Sequence, residues 1–282
     1  MGLLDGATAI VTGATRGVGR GCALELASQG VRVYITGRTV HEGDSQHPGS
    51  LESAAEEARA LGGELIGIVC DHRDDDQVRA AFERVTRERG RLDLLVNNAF
   101  LIPDELDPKA PFWESSLACW DDMHSVGLRS AYVGTWLAAP GMVRQRRGLV
   151  VNVSSQGARY FAVHPAYGAA KAGLDRMTRD TAHQLEPHGV AAVALWPAYV
   201  TTERILALDA AEWGLDLDGA ESPRFAGRAI AALLADPQVI RRSWRSYTTR
   251  RLADAYGFVD VDGALPKAGP EPLDPGPLLP PG

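Results

Sequence analysis

Cysteine is scarce. The three in 282 residues, Cys22, Cys70 and Cys119, lie far apart, and no CxxC pair occurs. That argues against a disulfide framework and against a structural zinc site, and a reducing, cytoplasmic setting fits. No apolar run reaches the ~20 residues that a membrane span needs. The opening "MGLLDGATAIVTG" lacks a basic segment ahead of an apolar one. It reads as the lead into a first strand rather than as a signal peptide. Gly6 stands where an N-acylation motif wants Ser or Thr. Basic residues are also the minority, 29 Lys and Arg against 36 Asp and Glu. A chain with that balance lacks the electrostatic footprint of a nucleic-acid binder, and its densest basic stretch, Arg241–Arg251, reads as a solvated face or an interface.

What the chain does have is alternation. Short apolar runs, "ATAIVT", "VRVYIT", "ELIGIVC", "LDLLVNN", "GLVVNVSS" and "GVAAVALWP", are separated by helical patterns such as "LESAAEEARALGG" and "DDDQVRAAFERVTRERG". The central runs are apolar throughout rather than at every second residue, as parallel strands buried on both faces are. Alternating strands and helices imply an α/β, doubly wound, three-layer sandwich. One domain is expected over residues 1–263, followed by a Pro-rich tail over 264–282. Its last 17 residues hold seven prolines, which suit an extended or disordered segment.

"TGATRGVG" (12–19) follows the first strand and opens the first helix. Backbone free of Cβ atoms and N–H groups at a helix N-terminus are what a pyrophosphate requires. Gly13, Thr15, Arg16, Gly17, Val18 and Gly19 are therefore candidate dinucleotide-binding residues. The second strand ends in "YITGRT" and lacks the carboxylate that would hold a ribose 2′-hydroxyl. Arg38, with Arg16, instead suits a 2′-phosphate, so NADP(H) is favoured over NAD(H). Asp71 after the third strand could meet the adenine amino group, and "NNA" (97–99) could hold the edge of the sheet near the cofactor.

"AYGAAKAG" (166–173) places Tyr167 four residues before Lys171 among small neighbours. Residues four apart share a helix face. A neighbouring ammonium favours a phenolate, so the pair can move a proton. "VNVSS" offers Ser154 or Ser155 to polarise a carbonyl. His164, three residues before Tyr167, reads as a loop-surface position with a substrate contact as the alternative.

Taken together, "TGATRGVG", "NNA", "VNVSS", "YGAAK" and "WPAYVTT", in that order over about residues 4–263, resemble the classical short-chain dehydrogenase/reductase family. "FWESSLACWDDMHSVGLRSAY" and "RRLADAYGFVDVDG" are similar to one subgroup, that of dehydrogenase/reductase SDR family member one and its bacterial relatives. The resemblance implies a Rossmann-type fold with a central parallel sheet of about seven strands. It implies NADPH-dependent interconversion of a carbonyl and an alcohol, without a metal, on a small and fairly apolar or bulky substrate. It makes Tyr167 the acid/base, gives Lys171 the lowering of its pKa and the nicotinamide ribose, and gives Ser155 the carbonyl. Ser154 stays a rival, because Ser155 stands one residue closer to Tyr167 than the family's usual spacing. Asn97, Ala99, Pro197, Val200 and Thr202 complete the implied cofactor contacts. The segment 203–225 is the implied substrate lid, with Leu206, Leu208 and Trp213 as apolar cover, and a homo-dimer or homo-tetramer is the implied assembly. Two departures stand out: Ala198 where the family has glycine, and Gly127 where it has an asparagine that serves the proton relay. Activity is expected to survive, since Gly127 keeps its carbonyl. The second departure leaves an alternative open, a cofactor-binding regulator or scaffold without turnover. An enoyl reductase fits less well, since those space the tyrosine and lysine farther apart.

Overall fold

The computed structural model describes residues 4–209 and 216–272. Seven strands form one sheet: β1 (Thr8–Val11), β2 (Arg32–Gly37), β3 (Leu65–Val69), β4 (Leu94–Asn97), β5 (Gly148–Val153), β6 (Val190–Trp196) and β7 (Ser246–Thr248). Their order is β3-β2-β1-β4-β5-β6-β7, and every pairing is parallel. β1, β4, β5 and β6 are buried at every position. Helices cover both faces, which explains why these strands are apolar throughout.

One face carries α1 (Gly17–Ser28), α2 (Leu51–Ala60), α8 (Pro223–Ala235) and α9 (Thr249–Tyr256), packed over Leu24, Val33, Val96 and Ile230. The other carries α3 (Asp75–Arg89), α5 (Ser130–Gln145) and α6 (Pro165–Leu185), packed over Ile10, Phe82, Leu95 and Val150. Local signals set the helix ends. Asp74 caps α3 by accepting from the Asp76 and Gln77 N–H groups, and Gly90 closes that helix in a left-handed conformation. Ahead of α5 the chain forms α4 (Leu117–Asp122) and a widened π turn (Met123–Arg129).

The strand order reverses between β1 and β4, and such a switch point opens a crevice at the C-terminal edge of the sheet. α7 (Glu203–Leu206) lies beside it. Of the expected lid, Leu206 is exposed and Leu208 half-buried, while Trp213 lies outside the described residues. Residues 264–272, the start of the Pro-rich segment, run along the body. The Lys267 N–H donates to Gly219 O at 2.8 Å and Thr248 Oγ1 to Glu271 Oε1 at 2.8 Å.

Candidate active site

β5 ends at Val153 and a tight 3₁₀ turn (Gln156–Ala158) follows. The turn aims Ser155 at α6, whose first turn carries Tyr167. The Tyr167 hydroxyl donates to Ser155 Oγ at 2.9 Å, and the Gly157 N–H donates to the same oxygen at 3.0 Å. Ser154 faces elsewhere: its hydroxyl donates to the Lys171 carbonyl at 3.3 Å, in the interior. Of the two serines, it is Ser155 that meets the phenol.

Lys171 is only 5% exposed, and its ammonium donates to Val153 O at 2.9 Å. Burial pulls Lys171 down to about 8, partly opposed by the charge of Asp175. Burial pushes the Tyr167 phenol up, and the Ser155 hydrogen bond offsets only part of that. Asp175, one turn beyond Lys171, is pushed up to about 6 by burial, while hydrogen bonds from Ser154, Ser246 and Trp196 draw it back. Nothing in its spacing alone marked it as a partner of the site.

A groove of about 460 Å³ occupies the crevice. Gly13, Thr15, Arg16, Gly17, Val18, Gly19, Arg38, Asp71, Ala99 and Thr202 line it. Gly13 has a φ of +64°, and a Cβ there would lie 2.7 Å from Ala99 Cα, so only glycine lets the two loops meet. Pro197 and Val200 are buried behind the groove, with Val200 bridged to Glu221. Asn97 does not reach the groove. Its amide donates to Thr135 Oγ1 at 3.0 Å and to Asn152 Oδ1 at 2.8 Å, which ties β4 to α5 and β5. Strand neighbours point to opposite faces, so Asn98 takes that place and donates to Thr12 O and Gly13 O at 2.9 Å each.

The two arginines hold different positions. Arg16 donates to Pro48 O at 2.8 Å and through Nη2 to Thr39, His47 and Gly49, which spends it on the loop after β2. Arg38 is exposed at the rim, with no hydrogen bond or ion pair among the described residues. His164 is buried rather than on the surface. It caps α6 by accepting from the Ala166 N–H at 3.1 Å through Nδ1, while Nε2 meets Ser115 Oγ at 3.0 Å.

Residues 7–212 match the family model described as short chain dehydrogenase. The chain belongs to the short-chain dehydrogenase family. It is 39% identical over 273 residues to dehydrogenase/reductase SDR family member 1 of Mus musculus, and equally so to that of Homo sapiens; each match covers 92% of this chain and 85% of the relative. Among solved structures it is similar to a metagenomic short-chain oxidoreductase in complex with NADP. There the TM-score is 0.70 and the identity 28%, with 87% of this chain and 97% of that one covered. This short-chain dehydrogenase is thus an oxidoreductase of a family that binds a nicotinamide cofactor.

The groove fits such a group on its own terms. The Gly17 N–H, at the N-terminus of α1, donates to Glu203 Oε2 at 2.9 Å. A carboxylate thus sits where the helix end favours an anion, and a diphosphate offers oxygens of the same kind.

One buried group of this dehydrogenase escaped the sequence reading. His72, 6% exposed, meets Thr36 Oγ1 at 2.7 Å through Nε2, and that hydroxyl accepts from the Gly13 N–H at 3.2 Å. The imidazole thus braces the glycine loop. Burial pulls it down to about 4, below the ~6.5 of an ordinary imidazole. Between those values the unfolded chain takes up a proton that the folded chain refuses, so stability falls as pH drops from 6.5 toward 4. The gap corresponds to up to about 3 kcal/mol. Urea unfolding of wild type and His72→Gln, compared from pH 7 to pH 4, should show the variant losing less stability by about that amount. Parallel curves would mean that His72 titrates freely.

Proposed function

We propose that this protein is an NADPH-dependent reductase that interconverts a carbonyl and an alcohol, with Tyr167 as the acid/base. The observation that carries the reading is the Tyr167–Ser155 hydrogen bond of 2.9 Å, with Lys171 one helical turn along. Hydride exchange is the chemistry that the nicotinamide supplies when bound. Ser155 Oγ orients the carbonyl oxygen, and the Tyr167 hydroxyl hands it a proton; in the reverse direction the phenolate takes the proton from the alcohol. Lys171 places positive charge near the phenolate and offers its ammonium to the cofactor ribose. Gly13, Gly17 and Gly19 give backbone access to the diphosphate, while Asp71, Ala99, Pro197, Val200 and Thr202 flank the remaining cofactor contacts.

The substrate is a fairly apolar or bulky ketone, aldehyde or alcohol. Supporting this, the segments after β5 and β6 expose Tyr160, Phe161, Tyr199 and Leu206. No helix among the described residues is long and apolar enough to cross a membrane; a cytoplasmic enzyme that acts as a dimer or tetramer fits the reading. A regulator without turnover gains nothing from Ser155 and Tyr167 meeting, and it is not favoured.

The cofactor preference rests on Arg38. A charged hydrogen bond to a 2′-phosphate contributes about 1.5–3 kcal/mol. Arg38→Ser should therefore weaken NADPH binding by roughly 10–100-fold and leave NADH almost unchanged, as titration of cofactor fluorescence would read. Equal effects on both cofactors would remove the arginine from the phosphate.

A further inference from the structure

Gly127 is buried in the π turn that packs on α6. A Cβ there would lie 3.2 Å from Phe100 Cζ and closer still to Cε2 and Cδ2. The Phe100 ring therefore fills the space that a side chain at position 127 would take. The same ring reaches both members of the helical pair. Its centroid is 4.2 Å from Lys171 Nζ and 5.3 Å from the Tyr167 ring, in an edge-on arrangement at 73°. Phe100 also lines the groove, so it stands between the groove and the catalytic trio.

Lys171 needs such a neighbour. An ammonium carries three donors, and among the described residues its one hydrogen bond goes to Val153 O. A buried charge without compensation is costly. The negative face of an aromatic ring supplies part of that compensation, more when water is excluded.

We infer that Phe100 is a positioning residue: its ring, admitted because residue 127 is glycine, holds the Lys171 ammonium charged and in place beside Tyr167. This rests on the reading of Tyr167 as acid/base. Besides Phe100, α6 sets Tyr167 and Asp175 around Lys171, and the end of β5 the Val153 carbonyl and Ser154; among these described residues only Tyr167 and Asp175 titrate. Asp175 is the one carboxylate whose charge acts on Lys171, and its position is tied to Trp196 and Ser246.

The chain has only three lysines, Lys109, Lys171 and Lys267. Carbon NMR of lysine labelled at Cε therefore reads Lys171 directly in the full chain, assigned with Lys171→Met. Phe100→Leu keeps an apolar side chain and removes the ring; Phe100→Met is a second such change should leucine fit badly. In either, the Lys171 midpoint should fall by about one pH unit, and Phe100→Tyr should restore it. Less charge on Lys171 raises the Tyr167 midpoint, so the acid limb of alcohol oxidation should move to higher pH in step. Gly127→Asn should behave like the ring-less variants, because the asparagine displaces the ring. A Lys171 midpoint unchanged in both Phe100→Leu and Phe100→Met would overturn the inference. A shifted lysine in a chain whose turnover does not depend on Tyr167 would instead overturn the reductase reading beneath it.

Discussion

Tyr167→Phe should lower turnover of a carbonyl substrate by roughly 10²–10⁴-fold, the usual contribution of a positioned proton donor, and leave cofactor affinity within about a factor of three. The substitution is conservative in every other respect. Phenylalanine keeps the edge-on contact with Phe100 and the burial of the ring. Ser155 Oγ still accepts from the Gly157 N–H, so the serine stays in place. One hydrogen bond is lost, at a cost of about 1 kcal/mol in stability. The pH dependence of the wild type follows from the direction of the phenol's shift. Burial holds Tyr167 above its ordinary value, so the hydroxyl is protonated through neutral pH, ready to donate in reduction. Alcohol oxidation needs the phenolate and should climb as pH rises, while reduction declines only on the alkaline side. A Tyr167→Phe chain that reduces carbonyls at the wild-type rate would remove the residue from the chemistry.

Gly21→Ala should destabilise the fold by roughly 3 kcal/mol or more, through overpacking that no side chain can relieve. A Cβ on Gly21 would lie 2.6 Å from Pro223 Cβ and closer still to the Pro223 carbonyl. The obstacle is the first turn of α8, not the end of a flexible side chain. α1 and α8 would have to part. The burial of Cys22, Ala226 and Ile230 between helices and sheet depends on their closeness. So does the ion pair of Glu25 with Arg224 at 2.8 Å, which is 6% and 25% exposed on its two sides. For a chain of this size the expected fall in melting temperature is roughly 5–10 °C, read by calorimetry. Because α1 opens with the glycine loop, cofactor affinity should fall as well. A melting temperature within a degree of wild type would show that the two helices are less tightly seated than the geometry says.

The sheet, the glycine loop and the tyrosine–lysine pair were legible because each is written in contiguous residues: apolar runs, a loop between a strand and a helix, and a four-residue spacing. What escaped depends on which way a chain turns. Ser154 and Ser155 are neighbours, and only the 3₁₀ turn after β5 decides that Ser155 meets Tyr167. Asn97 and Asn98 were open to the same one-residue error, because successive strand residues face opposite ways. Arg16 and Arg38 look alike until the loop after β2 folds back and its carbonyls engage Arg16. His164 did carry a signal. It precedes Pro165, and proline favours the first position of a helix, which marks the residue before it as the cap. The pairing of Phe100 with Gly127 had none, since a cavity and the ring that fills it lie on different elements.

The central claim is that the phenol of Tyr167 delivers a proton while hydride passes between cofactor and substrate. The most direct measurement uses NADPH deuterated at the transferring position, incubated with the full chain and a panel of ketones, aldehydes and steroids, followed by mass spectrometry of the products. The account predicts an alcohol carrying one deuterium on the former carbonyl carbon, formed by wild type and almost absent with Tyr167→Phe. Tight NADPH binding with no deuterium transferred to any member of the panel would contradict it and favour a protein that binds the cofactor without turning it over.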